Sequence, residues 1–407
     1  MNVLVIGAGP AGIMAAVAAA ENGNKVTLFE RNERMARKIL VTGKGRCNLT
    51  NNSDINTHMA NVTGNGKFLY PSYNAFSAKD TMALFEKLGV PLKTERGNRV
   101  FPVSEKAMDI ADALQKYARH KNIKIVNARI SELILEQNAV VGIKTELGES
   151  FYGEHTVIAT GGLSYPKTGS TGDGYTLAKQ AGHTVTALKP SLTALIAHEG
   201  FCSHLQGLSL KNVSIKLMEE GKKKPLYSEL GEMLFTHNGI SGPLVLSASA
   251  HIKNLESKKY KVLIDLKPAL DEQTLDKRIL RDFEENQNKD FQNALSKLLP
   301  SSLIPVIVRL SGIEGSTKVN QISREQRMAL VRLIKELSVT VTDFAPIEQA
   351  VVTKGGVSLK EIDPATLKSK VVNGLSFAGE VIDIDAYTGG FNLQIAFSTG
   401  HLAGKMC

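Results

Sequence analysis

Cysteine is scarce: Cys47, Cys202 and Cys407 are the only three in 407 residues, and they stand far apart. None forms a C-x-x-C pair or a cluster with metal-ligand spacing. That excludes a disulfide scaffold and a zinc module, and it predicts a reducing, cytoplasmic setting with no metal site. Long apolar runs are missing too. No stretch reaches the roughly 20 residues that a membrane span needs, so no membrane partner is expected. A strand is expected from residue 2 onward, which leaves no room for a signal peptide. Low-complexity tracts and internal repeats are absent. The net charge is +9, but Lys222 to Lys224 and Lys258, Lys259 and Lys261 lack interleaved aromatics or a nucleic-acid module. They read as solvated faces and turns, and no nucleic-acid partner is expected.

What is present begins at once. The opening MNVLVIGAGPAGIMAAVAAAENGNKVTLFERN runs through an unbroken apolar stretch, Asn2 to Ile6, of the kind that forms a fully buried strand. Gly7, Gly9 and Gly12 follow in G-x-G-x-x-G spacing, with Pro10 and Ala11 between them. Gly7 permits a tight turn, Gly9 a close approach of backbone to a pyrophosphate, and Gly12 close packing of helix on strand. The alanine-rich stretch from Ala11 to Ala20 favours helix, and its N-terminus would aim free N–H groups at phosphate. A second buried strand, Lys25 to Phe29, ends at Glu30, followed by Arg31. A carboxylate about 20 residues after the glycines suits a ribose diol and disfavours a 2′-phosphate. This unit binds NAD or FAD, and the opening does not separate them.

The order of elements narrows the choice. Helices are expected at Ala78 to Leu88, capped by Ser77, and at Glu105 to Lys121, capped by Ser104. Lys124 to Asn127 reads as a strand, Ile130 to Glu136 and Ala139 to Thr145 as a hairpin, and Glu154 to Ala159 as a return to the main sheet. That layout is the usual one of FAD-binding domains of the glutathione-reductase type. Short strands then dominate to about Pro268, and charged, leucine-rich helical segments fill Asp271 to Ser338. The expected fold is α/β: a Rossmann-like FAD-binding domain interrupted by a β-barrel-like and helical insertion. The expected pieces are residues 1–190, a β-rich 191–268, a helical 269–338 and a returning 339–407.

Three stretches favour flavin. VIATGG at 157–162 ends a buried strand in Thr160 and Gly161, where small residues admit a nucleotide or simply make a turn. In LSFAGEVIDIDAYTGGFNLQIAFSTG at 375–400, a strand ends at Gly379 and Glu380, and Gly389 and Gly390 open a helix. Glu380, longer than aspartate, would reach a ribityl hydroxyl or phosphate. Gly390 would let backbone approach the flavin, and the N–H groups at Asn392 and its neighbours would meet the ring edge that becomes negative on reduction. In RKILVTGKGRCNLTN at 37–51, Arg37, Lys38 and Arg46 offer charge, Gly43 an irregular backbone, and Cys47, Asn48 and Asn51 small polar groups. Ile130 completes the expected cofactor contacts.

RKILVTGKGRCNLTN, LFTHNGISGP at 234–243, TKGGV at 353–357 and GEVIDIDAYTGGFNLQIAFSTG, in that order, resemble the bacterial BaiN-like flavoproteins. That group includes aminoacetone oxidases and reductases of unsaturated bile-acid intermediates. The resemblance spans nearly the whole chain. It implies noncovalent FAD and an interrupted FAD domain, and it leaves the substrate open.

On the substrate side, His237 is a candidate acid or base or a loop-holding histidine. Ser241 is a donor or a turn residue, and Tyr165 a carbonyl donor or a packed Tyr-Pro corner. Asp173 reads as a helix cap. Cys47 has no partner for dithiol chemistry. No second strand–GxGxxG–helix unit follows, so NAD(P)H would have to dock transiently over the flavin. The expected function is an FAD-dependent oxidoreductase of a small organic molecule, through NAD(P)H-linked reduction. The alternatives are an amine oxidase forming hydrogen peroxide, and a flavoprotein redox sensor or RNA-modification factor. Oligomeric state is open.

Overall fold

A computed structural model describes all 407 residues. It divides into a unit of residues 1–191 and 346–407 and a second unit of residues 192–345.

The first unit is built on a parallel five-stranded sheet. Its order is Leu375–Phe377, His155–Ile158, Asn2–Ile6, Lys25–Glu30 and Ile123–Asn127. Asn2–Ile6 lies in the middle, with Val5 opposite both Val157 and Leu28. Burial on both faces explains its unbroken apolar run. The chain therefore returns to this sheet at residue 375, beside a strand from residue 155. An antiparallel meander of Ile130–Glu136, Ala139–Thr145 and Ser150–Tyr152 is added to the unit.

The first helix, Pro10–Glu21, is buried from Ala11 to Ala20 without a solvent face. Its alanines are explained by the C-terminal helix, Phe391–Lys405, which packs directly on it. A Cβ on Gly400 would stand 2.2 Å from the Ala11 carbonyl oxygen, and one on Gly404 would stand 2.1 Å from that of Ala15. Backbone touches backbone along this seam, so only glycine and alanine fit.

Local signals mostly hold. Ala78–Lys87 is closed by a full capping box between Ser77 and Asp80. The helix expected from Glu105 starts later, at Ala107–Tyr117, because Glu105 takes a left-handed conformation (φ +58) and Lys106, not Ser104, stands at the cap.

The second unit is a closed six-stranded barrel. Around it run Leu195–Ala197, Gly239–Ser241, Tyr227–Thr236, Ser209–Glu219, Tyr260–Asp265 and Leu337–Phe344. The helices Glu272–Glu284, Ile304–Ser311 and Arg324–Lys335 share one hydrophobic core with it, including Ile215, Val262, Leu275, Ile307 and Ile334. Two expected boundaries change. Residues 339–344 belong to the closing barrel strand, not to the returning nucleotide-binding segment. The β-rich and helical pieces also form one body, since Leu337–Phe344 pairs with both Tyr260–Asp265 and Leu195–Ala197 only after the helices have passed. Closure removes the unpaired edges that a separate β piece would expose. No helix is long and apolar enough to cross a membrane.

Candidate functional site

The glycine turn after the first strand has the shape a diphosphate needs. Gly7 is left-handed (φ +97), and a Cβ there would lie 2.7 Å from the Ala159 carbonyl oxygen. A Cβ on Gly12 would fall 1.7 Å from the Gly7 oxygen. Gly9 has nothing within 4 Å of its Cβ position. Two glycines are thus required by packing, and the third faces open space. Gly9 caps the first helix without a side-chain hydrogen bond, and Pro10 fills the first helical position. The helix end offers backbone donors and the positive end of its dipole to an anion.

Glu30 is 9% exposed at the end of its strand. One oxygen accepts from the Ala8 N–H (3.0 Å), the other from the Asn32 N–H (2.9 Å) and side-chain amide (2.7 Å). A carboxylate has about four lone-pair sites, so capacity is left for a ribose hydroxyl.

Nearby expectations need correction. Arg31 is committed to Thr171 (2.5 Å) and Asp173 (3.1 Å) rather than left for phosphate. Arg129 also donates to Asp173, at 3.0 and 2.9 Å. Burial opposes ionisation of Asp173, but the hydrogen bonds and charge of Arg129, then Thr171 and Arg31, outweigh it and hold the carboxyl below its ordinary range. Asp173 is the first helical residue after the cap Gly172, not the cap itself. Ile130 is 4% exposed and serves the core. Thr160 and Gly161 stay half-buried at the strand end, where Gly161 is left-handed (φ +76) and a Cβ on Gly174 would strike the Thr160 hydroxyl.

Glu380, expected to reach a ribityl hydroxyl or phosphate, braces loops. It accepts from Lys38 Nζ (2.8 Å), Ser164 Oγ (3.1 Å) and the Thr353 N–H (2.8 Å), and Lys38 also donates to Ser164 (2.6 Å). Lys38 is thereby neutralised as well. Gly379 is left-handed (φ +76) and pressed against Ala11, with its N–H donated to Thr399 (2.9 Å). It is a packing residue.

At the C-terminal fingerprint, Gly390 is left-handed (φ +96), and its Cβ would lie 2.3 Å from the Thr50 carbonyl. Thr50 by itself demands a glycine here. Asn48, with its amide oriented by its neighbours, accepts the Gly390 N–H (3.0 Å) and donates to Thr50 and Val100 carbonyls. Asn51 donates to the Gly389 carbonyl (3.1 Å). The Asn392 side chain turns back to bridge the N–H (2.9 Å) and carbonyl (2.7 Å) of Ala386. Gly390 caps the C-terminal helix with no side chain of its own, and beyond its N–H, which Asn48 accepts, the helix end is left uncapped.

The two bare ends are related by the helix seam. Ala11 lies by Gly400 and Ala15 by Gly404, so the helices run parallel. Phe391 precedes Gly400 by nine residues and Pro10 precedes Ala11 by one, so the second helix begins about 12 Å upstream of the first. One end suits a diphosphate, and the other suits an electron-rich ring edge.

Three other expected contacts are elsewhere. Cys47 is completely buried and left-handed (φ +58), and its thiol is pushed up to about 12 by burial, with the Thr42 hydrogen bond opposing. Arg46 pairs with Glu95 (2.5 Å) and Glu105 (3.0 Å) and lies 4.2 Å over the Phe101 ring, so its charge is taken up within the protein. Gly43 is exposed, with its Cβ position 2.9 Å from the Asn48 N–H.

Of the substrate-side candidates, Tyr165 is half-buried and left-handed (φ +53). Its N–H donates to the Glu348 carbonyl (3.0 Å), and its carbonyl accepts from Thr168 (2.8 Å), which is a corner's job. His237 is exposed at the two-residue turn between barrel strands Tyr227–Thr236 and Gly239–Ser241. They belong to different units.

Sequence reasoning missed the buried network that fixes the C-terminal helix. Thr50 (2.6 Å) and Thr81 (2.8 Å) donate to Gln394, which donates to Ser398 (2.9 Å). A glutamine in a largely apolar, mostly buried helix was its one signal.

The family described as HI0933-like protein Rossmann domain matches residues 1–406. A 3-dehydro-bile acid delta(4,6)-reductase of Clostridium scindens is 32% identical, covering 98% of this chain and 97% of its own. A ribosomal RNA dihydrouridine synthase of Haemophilus influenzae is 30% identical, over 98% and 96%. In fold, the chain resembles 3-ketosteroid delta1-dehydrogenase from Sterolibacterium denitrificans, with a TM-score of 0.52 at 12% identity over 99% and 98% of the two chains. The uncapped helix ends, the open Gly9 and the acceptor capacity left on Glu30 fit FAD. The chain belongs to the HI0933-like Rossmann family and is an FAD-dependent oxidoreductase.

Proposed function

We propose that the protein reduces a carbon–carbon double bond conjugated to a carbonyl, drawing electrons from a reduced nicotinamide nucleotide. The observation that carries this reading is the pair of full-length relatives. One is named for reducing a 3-dehydro bile acid at delta(4,6), the other for making dihydrouridine. The two substrates differ in size and class, yet each name describes adding hydrogen across a double bond conjugated with a carbonyl.

FAD, when bound, supplies two-electron carriage between donor and acceptor. The chain's own residues do the rest. The first helix end and Glu30 hold the phosphates and ribose. The C-terminal helix end, kept in place by Asn48, Asn51 and the Thr50–Gln394 network, sets backbone donors and a positive dipole end where negative charge collects. A dithiol relay has no support, because Cys47 and Cys202 are buried and their thiols are pushed up to about 12 by burial. A small organic substrate and a cytoplasmic setting fit this reading.

The test is to incubate FAD-loaded protein with NADPH or NADH and, separately, a 3-oxo-Δ4 steroid, a simple enone and ribosomal RNA. Mass spectrometry should find a gain of two hydrogens in at least one. A panel in which only a small amine is consumed, with hydrogen peroxide formed, would replace reduction by amine oxidation.

A further inference from the structure

Five cations lie on two segments that the Arg46–Glu95 pair joins: Lys44 and Arg46 on the loop after Lys25–Glu30, and Lys93, Arg96 and Arg99 on the hairpin of Leu92–Glu95 and Arg99–Pro102. Two are neutralised, since Arg46 and Lys93 share the carboxylates of Glu95 and Glu105. Lys44, Arg96 and Arg99 are exposed, and none has a carboxylate within ion-pair distance.

The two arginines are held in place. Gly97 (φ +74) and Asn98 (φ +58) form a tight left-handed tip, and Arg99 Nε donates across it to the Arg96 carbonyl (3.0 Å). The Asn52 N–H donates to the Asn98 carbonyl (2.7 Å), and the Asn51 side-chain amide to the Gly97 carbonyl (3.0 Å). That same Asn51 amide donates to the Gly389 carbonyl (3.1 Å). One side chain thus ties the arginine-bearing tip to the glycine turn that opens the C-terminal helix. Guanidinium groups without a carboxylate partner at that place create a local positive potential and offer terminal N–H donors that match phosphate oxygens.

A nicotinamide dinucleotide needs such a site. The chain contains one strand–GxGxxG–helix unit, and FAD takes it. We propose that Arg96 and Arg99, with Lys44, form the rim that binds the phosphates of the reduced nicotinamide dinucleotide beside the Gly389–Gly390 turn. This rests on the nicotinamide-fed reading above.

The experiment compares FAD-loaded wild type with Arg96→Gln/Arg99→Gln in anaerobic stopped flow. NADPH and NADH are the donors, with phosphate-free 1-benzyl-1,4-dihydronicotinamide as control. The double variant should weaken the dinucleotide's apparent Kd about tenfold or more, as expected for losing charge-assisted bonds. Its limiting bleaching rate should change far less, and the benzyl donor should react equally with both proteins. Calorimetry should show ADP-ribose binding to the wild type and not to the variant. If the double variant loses FAD, Arg96→Gln and Lys44→Gln alone should each raise the apparent Kd by about threefold. An unchanged Kd, or an equal loss with the benzyl donor, overturns the rim. Wild type bleached by neither nucleotide overturns the nicotinamide reading itself, and the rim with it.

Discussion

Gly400 lies against Ala11, so that a Cβ on the glycine would stand 2.2 Å from the alanine's carbonyl oxygen. The last helix of the chain is thereby locked to the first, and the two helix ends that fit the cofactor are held in one register. Gly400→Val should force the helices apart and destabilise the protein by about 1–3 kcal/mol, the usual range for overpacking. Urea unfolding should show a lower midpoint, and the purified variant should hold less FAD. A wild-type midpoint and full flavin content would mean that the seam is looser than it looks.

Glu30→Ala should weaken FAD binding by about 1–3 kcal/mol, because it removes the acceptor for a ribose hydroxyl and frees the Ala8 N–H. Titration of apoprotein with FAD measures this directly, and unchanged affinity would remove Glu30 from the ribose site. Arg46→Ala should leave FAD affinity within experimental scatter, since Arg46 serves Glu95 and Glu105 at a partly exposed pair.

Cys47 and Cys202 should resist thiol reagents in the native protein at pH 8. Both are buried with thiols pushed up to about 12 by loss of solvent. Mass-spectrometric labelling before and after denaturation checks this. Rapid native labelling of Cys47 would place it in accessible space and reopen a cofactor role.

His155 makes stability depend on pH. Burial, with the Lys368 charge adding, pushes its folded pKa down to about 4, and its ring pairs with Ser376 Oγ (2.8 Å). The unfolded value is about 6.5. The depressed folded pKa means that the stabilisation is full above about 6.5 and is lost as pH falls from there to about 4, on the order of 3 kcal/mol for this group. Urea midpoints should fall over that window more steeply in wild type than in His155→Gln. Parallel slopes would show that His155 titrates normally.

The nucleotide-binding architecture was legible because its signals are local: apolar runs of buried strands, glycine spacing, and a carboxylate at a strand end. The individual contacts were less so. Arg31, Lys38, Arg46 and Glu380 all carry charge that suits a cofactor, but each found a protein partner supplied by a distant segment, such as Asp173 or Ser164. Gly390 was singled out for a close approach to flavin, and the neighbour that the fold itself supplies is Thr50, 340 positions earlier in the chain. The barrel's last strand could not be told from a returning sheet strand, because both are short and apolar and only pairing distinguishes them.

The most direct test of the account is an anaerobic titration of the FAD-loaded protein followed by its flavin absorbance. The account predicts that NADPH or NADH bleaches the flavin and that a substrate with a carbon–carbon double bond conjugated to a carbonyl then restores the colour. Bleaching by a small amine, with no response to either nucleotide, would contradict it.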